Sequence, residues 1–296
     1  MRYQSVDQFF DRRRGTSCVR GRRDSLCGTT RLIVASNFQG SPCQIARQGA
    51  RARLAPTGAA LAGPPRRDST TDAYHWLVGV DEGFRLATRS FFARDVLDVA
   101  PALLGCVLGR RDSEAAVSLL ITEVEAYAGE RDPGAHSYRG KTRRNQTLFG
   151  PPGHLYCYFT YGMHHALNVV VGASDQPYAC LIRAGDVVGG IETARQRRLR
   201  KSGRSLVPDD ALARGPGCVA QCFDATLSND GDDLLSGEWR LLVPKSGAAL
   251  AHLTGPRVGV AGPGGDAGSF PWRFWLSDHR SVSTYRPGRV SPPARE

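Results

Sequence analysis

A long stretch of β-branched and apolar residues, AVSLLITEVEAY at positions 116–127, constrains the fold more than any other part of the sequence. Branching at Cβ favours extended backbone, so the stretch predicts a long strand. Side chains alternate between the two faces of a strand, which places Glu123, Glu125 and Tyr127 on one face. This strand therefore carries two carboxylates and a phenol on the same side.

A second extended region follows the Gly-Pro-Pro-Gly break at 150–153. Residues 154–172, HLYCYFTYGMHHALNVVVG, have strand composition and a turn signal, which together predict a β-hairpin with Tyr161 at its tip. Tyr156 and Tyr158 share one face if the first strand is regular.

Helical and extended segments alternate irregularly in the rest of the chain. Apolar spacing predicts two short helices before residue 106, and Pro101 either divides them or begins the second. A further helix is predicted over 190–201, with a solvated basic face. Further strands are predicted over 178–184, 239–244, 256–261 and 272–276. Because no regular βαβ rhythm occurs, we expect an α+β fold, a single mixed domain over 84–290 with a largely antiparallel sheet.

The formal charge of +11 is concentrated at the start of the chain. Residues 1–75 contain 13 arginines and 5 aspartates and show no sustained helical or strand period. We expect residues 1–80 to form an Arg-rich, disordered leader. The alternative is a basic arm that raises the nonspecific affinity for nucleic acid.

The cysteines and the lack of long apolar runs indicate a cytoplasmic protein. The eight cysteines include no CxxC pair, and Cys218 and Cys222 lack a second ligand pair, so reduced core thiols are favoured over zinc ligands. No apolar run approaches the ~18 residues that a membrane-spanning helix needs, and we expect no membrane partner.

Residues 120–168 contain a combination of side chains that suggests an enzyme acting on a nucleobase. Glu125, at the end of an apolar strand, is the preferred candidate for a general base, and Glu123 is its rival. Aromatic side chains could stack on a base, at ~1–3 kcal/mol per base, or pack in the core. The residues concerned are Tyr127, His136, Tyr156, Tyr158 and Tyr161. Core packing is favoured for Tyr156 and disfavoured for Tyr161, because an aromatic residue at a hairpin tip has little core to enter.

Two further clusters in this region have less specific compositions. One is a basic group that either contacts phosphate or is simply solvated, formed by Arg139, Lys141, Arg143 and Arg144. The other consists of His154, His164 and His165, which suggest a metal only weakly because adjacent strand residues point to opposite faces. We expect no metal and no other cofactor.

Four motifs stand in order along the chain: TEVEAY, AHSYRGKTRRN, GHLYCYFTYGMHHALNVV and ACLIRAG. With them, residues 89–286 resemble the alkyladenine (3-methyladenine) DNA glycosylases, monofunctional enzymes of base excision repair. The resemblance implies a curved antiparallel sheet with flanking helices and a protruding β-hairpin, similar to the C-terminal domain of formyltransferases. It also implies a monomer.

The resemblance assigns roles to individual residues. Glu125 matches the general base that activates water for attack on C1′ of a flipped nucleotide. Arg183 matches the arginine that helps place this glutamate and the water. Tyr161 matches the tyrosine inserted into the minor groove. The residues that hold the extruded base would be Tyr127, His136, Tyr158 and Asn168, the last discriminating against the 2-amino group of guanine.

The implied substrate is double-stranded DNA containing damaged purines. The expected reaction is hydrolysis of the N-glycosidic bond of 3-methyladenine, 7-methylguanine, hypoxanthine or ethenoadenine, and the motifs do not choose among these lesions. Two alternatives stay open. One is a non-catalytic nucleic-acid-binding module on the same fold, and the other is a metal-dependent hydrolase that uses the histidines.

Overall fold

The computed structural model describes residues 76–77, 83–160, 162–203, 206–247 and 250–289. The predicted leader, apart from two residues at its end, lies outside the described residues, and so does Tyr161. Within the described part of the chain, no helix has the length and apolar composition to cross a membrane.

The described residues include ten strands and four α-helices, besides short 3-10 helices and loops. The strands are β1 Phe84–Leu86, β2 Val107–Arg111, β3 Ala116–Ala128, β4 Leu155–Thr160, β5 His164–Val171, β6 Tyr178–Gly189, β7 Ala213–Arg214, β8 Trp239–Pro244, β9 Leu253–Gly255 and β10 Arg273–Trp275. The helices are α1 Arg89–Phe92, α2 Val96–Ala102, α3 Ile191–Ser202 and α4 Pro216–Cys222.

All the strands join one sheet, in which every pair is antiparallel. The main order is β1-β8-β2-β3-β6-β5-β4, with β3 in the middle. Strand β6 covers one edge of β3, whereas the opposite edge pairs first with β2 and then with β10. The predicted α+β class, the largely antiparallel sheet and the hairpin, formed by β4 and β5, are confirmed.

Irregular pairing in β3 bends the sheet beside the predicted carboxylates. The register of β3 against β6 shifts at residues 118–119 and again between 121 and 124. Such bulges increase the local bend and twist of a strand and often lie beside active sites. Beyond the second shift, Glu125 and Tyr127 remain on one face, where the Tyr127 hydroxyl donates a hydrogen bond to Glu125.

Helix α2 covers β3, and α4 packs against β5 and β6. Asp95 caps the start of α2 by accepting a hydrogen bond from Leu97 N at 2.9 Å. The prediction that Pro101 divides or opens a helix is wrong, because Pro101 lies inside α2 and the break between α1 and α2 falls at 93–95. Proline beyond the first turn removes a backbone donor and crowds the carbonyl four residues earlier, and α2 ends one residue after Pro101, at Ala102.

Two other predictions failed for a common reason, the burial of arginine side chains. The predicted strand over 256–261 is a loop, because Pro256 ends β9 and Arg257 turns into the interior. The basic face of α3 is not solvated throughout, since Arg197 is buried and its Nη2 lies 2.7 Å from Asp112 Oδ2. Paired arginines can enter a core that unpaired ones cannot.

We predict that Leu119→Ala in β3 lowers the free energy of unfolding by about 2–5 kcal/mol, because the side chain is fully buried and its removal leaves a cavity. Leu227→Ala provides the control, because Leu227 is 55% exposed, and its effect should stay within about 0.5 kcal/mol. Urea denaturation of both variants measures the difference. Equal destabilisation would contradict the assignment of Leu119 to the core.

Candidate active site

A cavity of about 370 Å³ opens beside the bent part of β3. Its walls come from β3, the β4–β5 hairpin, β6 and two loops at 133–137 and 258–261. Five of the predicted site residues line it: Tyr127, His136, Tyr158, Asn168 and Arg183. The structure therefore brings together residues that are widely separated in sequence, in a space suited to a small molecule.

Glu125 lies directly behind this lining and is fully buried. Its Oε1 accepts a hydrogen bond from Val258 N at 2.6 Å. Its Oε2 accepts one from Tyr127 Oη at 2.8 Å and another from Arg183 Nη1 at 3.3 Å. All three donors belong to residues that line the cavity. An ionised carboxylate has roughly four acceptor sites, so Glu125 is fixed in orientation and retains capacity for one more partner.

Glu123, the rival carboxylate, is bound differently. Its Oε1 accepts hydrogen bonds from Arg183 Nε at 2.9 Å, Arg273 Nε at 2.7 Å and Ser283 Oγ at 2.8 Å. Its Oε2 accepts from Ser283 N at 2.6 Å. Of these partners only Arg183 lines the cavity. Glu123 therefore belongs to the interior, and Glu125 is the carboxylate that adjoins the cavity.

The charge states of the groups around Glu125 are well defined. Burial and the neighbouring Glu125 carboxylate raise the pKa of Tyr127 well above its usual value, so its hydroxyl stays protonated and can donate to Glu125. Burial alone would lower the pKa of Arg183, but the two glutamates outweigh it and the pKa is raised. Arg183 is therefore a permanent cation.

A second part of the cavity lining is aromatic. The rings of His136 and Tyr158 meet edge to face, with centroids 4.5 Å apart, and Tyr156 stacks on Tyr158 at 5.4 Å. Desolvation by the surrounding protein lowers the pKa of His136, and Arg144 lowers it further, so the imidazole is neutral at pH 7. Tyr156 is buried in a small apolar cluster with Leu148, in agreement with the core packing predicted for it.

Asn168 and Asn145 hold the polar part of this lining in place. Asn168 Nδ2 donates to Tyr156 O at 3.1 Å, which sets the orientation of its amide inside the cavity. The buried Asn145 donates to His136 O and to Gly140 O, both at 3.1 Å, and accepts from Thr142 N at 2.6 Å. Asn145 thereby shapes the loop that supplies His136.

The same loop carries the predicted basic cluster. All four cationic side chains are exposed: Arg139, Lys141, Arg143 and Arg144. Arg144 Nη2 donates to Phe159 O at 3.0 Å, which joins the loop to the hairpin. The loop therefore presents cations to solvent next to a wall of the cavity.

A buried ion pair lies next to the cavity lining, and the sequence analysis did not predict it. Arg257 forms a bidentate pair with Asp132, with N–O distances of 2.5 and 2.6 Å. It also donates to Ala126 O at 2.8 Å, and its guanidinium carbon lies 4.6 Å from the centroid of the Tyr127 ring. Arg257 lies in the segment 256–261 that was predicted as a strand, and nothing local indicated that its side chain is buried.

The three histidines considered as metal ligands do not converge. His154 Nδ1 lies 3.1 Å from Pro151 O, His165 packs on the Phe159 ring, and His164 lies against Gly217. Among the described residues, no group of three or more His, Cys, Asp or Glu side chains could hold a metal ion.

Comparison with known proteins adds independent information. Residues 90–280 match the family model of the methylpurine-DNA glycosylases. A protein from Streptomyces avermitilis is 48% identical over 202 residues, covering 67% of this chain and 91% of the relative. One from Leifsonia xyli is 48% identical over 199 residues, covering 67% and 92%, and one from Carboxydothermus hydrogenoformans is 41% identical over 202 residues, covering 67% and 98%. Each is named "Putative 3-methyladenine DNA glycosylase".

The matched region contains the whole cavity together with Glu125 and Arg183. These findings define a DNA glycosylase, a hydrolase of N-glycosyl bonds. The chain belongs to the methylpurine-DNA glycosylase family.

We predict that Asp132→Asn lowers the free energy of unfolding by about 3–5 kcal/mol, because it leaves the buried Arg257 without a counterion. Glu192→Gln breaks an ion pair with Arg195 whose acidic side chain is 70% exposed, and it should cost no more than about 1 kcal/mol. Both values come from urea unfolding at neutral pH. If the two substitutions cost the same, the Arg257–Asp132 pair does not support the site.

Proposed function

We propose that this protein excises 3-methyladenine and related damaged purines from double-stranded DNA, and that residues 84–290 form its catalytic domain. Related substrates would be 7-methylguanine, hypoxanthine and ethenoadenine. The observation that carries the proposal is a buried carboxylate, Glu125, whose three hydrogen-bond donors all line an aromatic cavity. The names of the relatives support 3-methyladenine as a substrate.

The cavity suits a purine that has left the helix. Tyr127, His136 and Tyr158 all offer rings to its lining, and the rings of His136 and Tyr158 lie in contact. Stacking contributes about 1–3 kcal/mol per base, and an alkylated base that carries positive charge gains further attraction from aromatic faces. Asn168 supplies the amide that would oppose the 2-amino group of an undamaged guanine. A base inside a duplex cannot reach these groups, so the nucleotide must flip.

For a cationic alkylated base, the reaction requires one general base and one water molecule. Glu125 accepts a proton from the water while the water oxygen bonds to C1′ of the sugar. The electron pair of the C1′–N bond goes to the departing base, so a cationic alkylated base leaves as a neutral molecule. Arg183 keeps the carboxylate oriented towards this water, through its Nη1 contact at 3.3 Å. No covalent enzyme intermediate is needed.

Contacts with the duplex would surround the cavity mouth. Exposed cations on the loop that carries His136 are suited to phosphate contacts, which give affinity without sequence preference. Tyr161 would insert between the bases and fill the space that the flipped nucleotide leaves. We propose that the protein acts in the cytoplasm as a monomer on DNA and needs no cofactor.

Glu125→Gln should abolish base release and preserve binding to a damaged duplex, because glutamine keeps the shape of the side chain but cannot take the proton. The assay follows release from dimethyl-sulfate-treated duplex in EDTA, in parallel with duplexes that contain a single hypoxanthine or ethenoadenine opposite thymine. Base release by the variant at the wild-type rate would exclude Glu125 as the general base. Lesion binding without release by either protein would favour a non-catalytic nucleic-acid-binding module, and dependence of release on a metal would favour a metal-dependent hydrolase.

Tyr161→Ser should reduce base release from a lesion duplex by at least about tenfold, because a wedge residue offsets part of an unstacking cost of a few kcal/mol. Its affinity for undamaged DNA should change much less. Tyr161→Phe keeps the ring and serves as the matched control, which should retain activity. An equal loss of lesion processing and of undamaged-DNA binding would show that Tyr161 has only a structural role.

A further inference from the structure

We propose that Glu123 is a positioning residue, which aims Arg183 at the general base and is itself held by the chain segment 281–288. This inference rests on the proposed function of Glu125. It concerns how the base is kept in place, and it assigns a role to a carboxylate that lies outside the cavity.

The first observation is the way in which Glu123 is enclosed. Its side chain has no exposed surface, and four hydrogen bonds reach its two oxygens. A carboxylate bound in this way has little capacity for water or substrate. It can act on the reaction only through the groups that it holds, and Arg183 is the one among them that faces the cavity.

The second observation is that the Arg183 guanidinium contacts Glu123 and Ser283 as well as Glu125. Nε donates to Glu123 at 2.9 Å, Nη2 donates to Ser283 Oγ at 3.2 Å, and Nη1 donates to Glu125 at 3.3 Å. A guanidinium is planar, and its donors have a fixed geometry. Two nitrogens that are anchored by Glu123 and Ser283 therefore determine where the third one points.

The third observation is the charge balance of the buried network. Two carboxylates, Glu123 and Glu125, face two guanidinium groups, Arg183 and Arg273. Buried charges are tolerated when they are paired. Without the charge of Glu123 the cluster would carry an excess positive charge, and Arg183 would be free to turn further towards Glu125 and occupy its remaining acceptor site.

The fourth observation is that segment 281–288 contacts the surroundings of Glu125 on two sides. Ser281 Oγ lies 2.9 Å from Thr122 Oγ1, and Ser283 N donates to Glu123. Farther along, Arg286 O accepts a hydrogen bond from Gly259 N at 2.8 Å. Gly259 follows Val258, the backbone donor to Glu125. The same segment therefore stabilises the arginine side and the loop side of the catalytic carboxylate.

Glu123→Gln tests the proposal in the full-length protein. We expect single-turnover base release from methylated duplex to fall by about 10²-fold, the effect of a misplacement of roughly 1 Å in a catalytic group. Affinity for the same duplex should stay close to the wild-type value. A purely structural role would lower the affinity and the rate together, because both need the folded site.

Two further variants keep the test decisive. Ser283→Ala retains the backbone donor to Glu123 and removes only the hydroxyl, so release should fall by about tenfold even if Glu123→Gln folds poorly. Glu114→Gln neutralises a carboxylate that is 65% exposed, in the turn between β2 and β3, and should leave the rate and the affinity unchanged.

The outcomes separate this inference from the proposed function. Wild-type protein that releases no base would overturn both. Active wild type with unchanged rates for Glu123→Gln and Ser283→Ala would overturn the positioning role alone. Base release that stops in Glu123→Gln, and persists in Glu125→Gln, would show that Glu123 itself is the general base.

Discussion

The candidate site depends on one interaction, the contact of the Arg183 guanidinium with two buried carboxylates. Arg183 touches Glu123 at 2.9 Å and Glu125 at 3.3 Å, and all three side chains are almost entirely removed from solvent. Isolated charges in such a place would be costly, so the arrangement persists only because each charge is paired and hydrogen-bonded. The pairing also gives the Glu125 carboxylate a fixed direction next to the cavity.

The antiparallel sheet makes this arrangement possible. Strand β3 carries both glutamates, its neighbour β6 carries Arg183, and β10 brings Arg273 to the opposite edge. Bulges bend β3 at this point, and the cavity lies beside the bend. The β4–β5 hairpin then supplies the aromatic wall. The site therefore takes its charges and much of its lining from rigid strands, and loops complete the lining, a distribution that favours a preorganised geometry.

Sequence reasoning predicted the parts of the molecule that follow local rules. Strand alternation placed Glu125 and Tyr127 together, and the turn signal after Tyr158 predicted the hairpin. The family motifs pointed to His136, Asn168 and Arg183, all of which line the cavity.

The parts that could not be predicted depend on contacts between distant segments. Ser283 meets Glu123 across 160 positions, and Arg257 meets Asp132 across 125. Neither the composition nor the periodicity around Arg257 distinguishes a buried arginine from an exposed one, so its segment was predicted as a strand.

The central claim is that a water molecule activated by Glu125 displaces a damaged purine from C1′. Base release from methylated duplex in ¹⁸O-labelled water, with EDTA present, tests it most directly. If the claim is correct, mass spectrometry will find the label on the sugar of the abasic product and none on the released base, and Glu125→Gln will yield no labelled product. An unlabelled sugar, or label incorporation by Glu125→Gln at the wild-type rate, would contradict it.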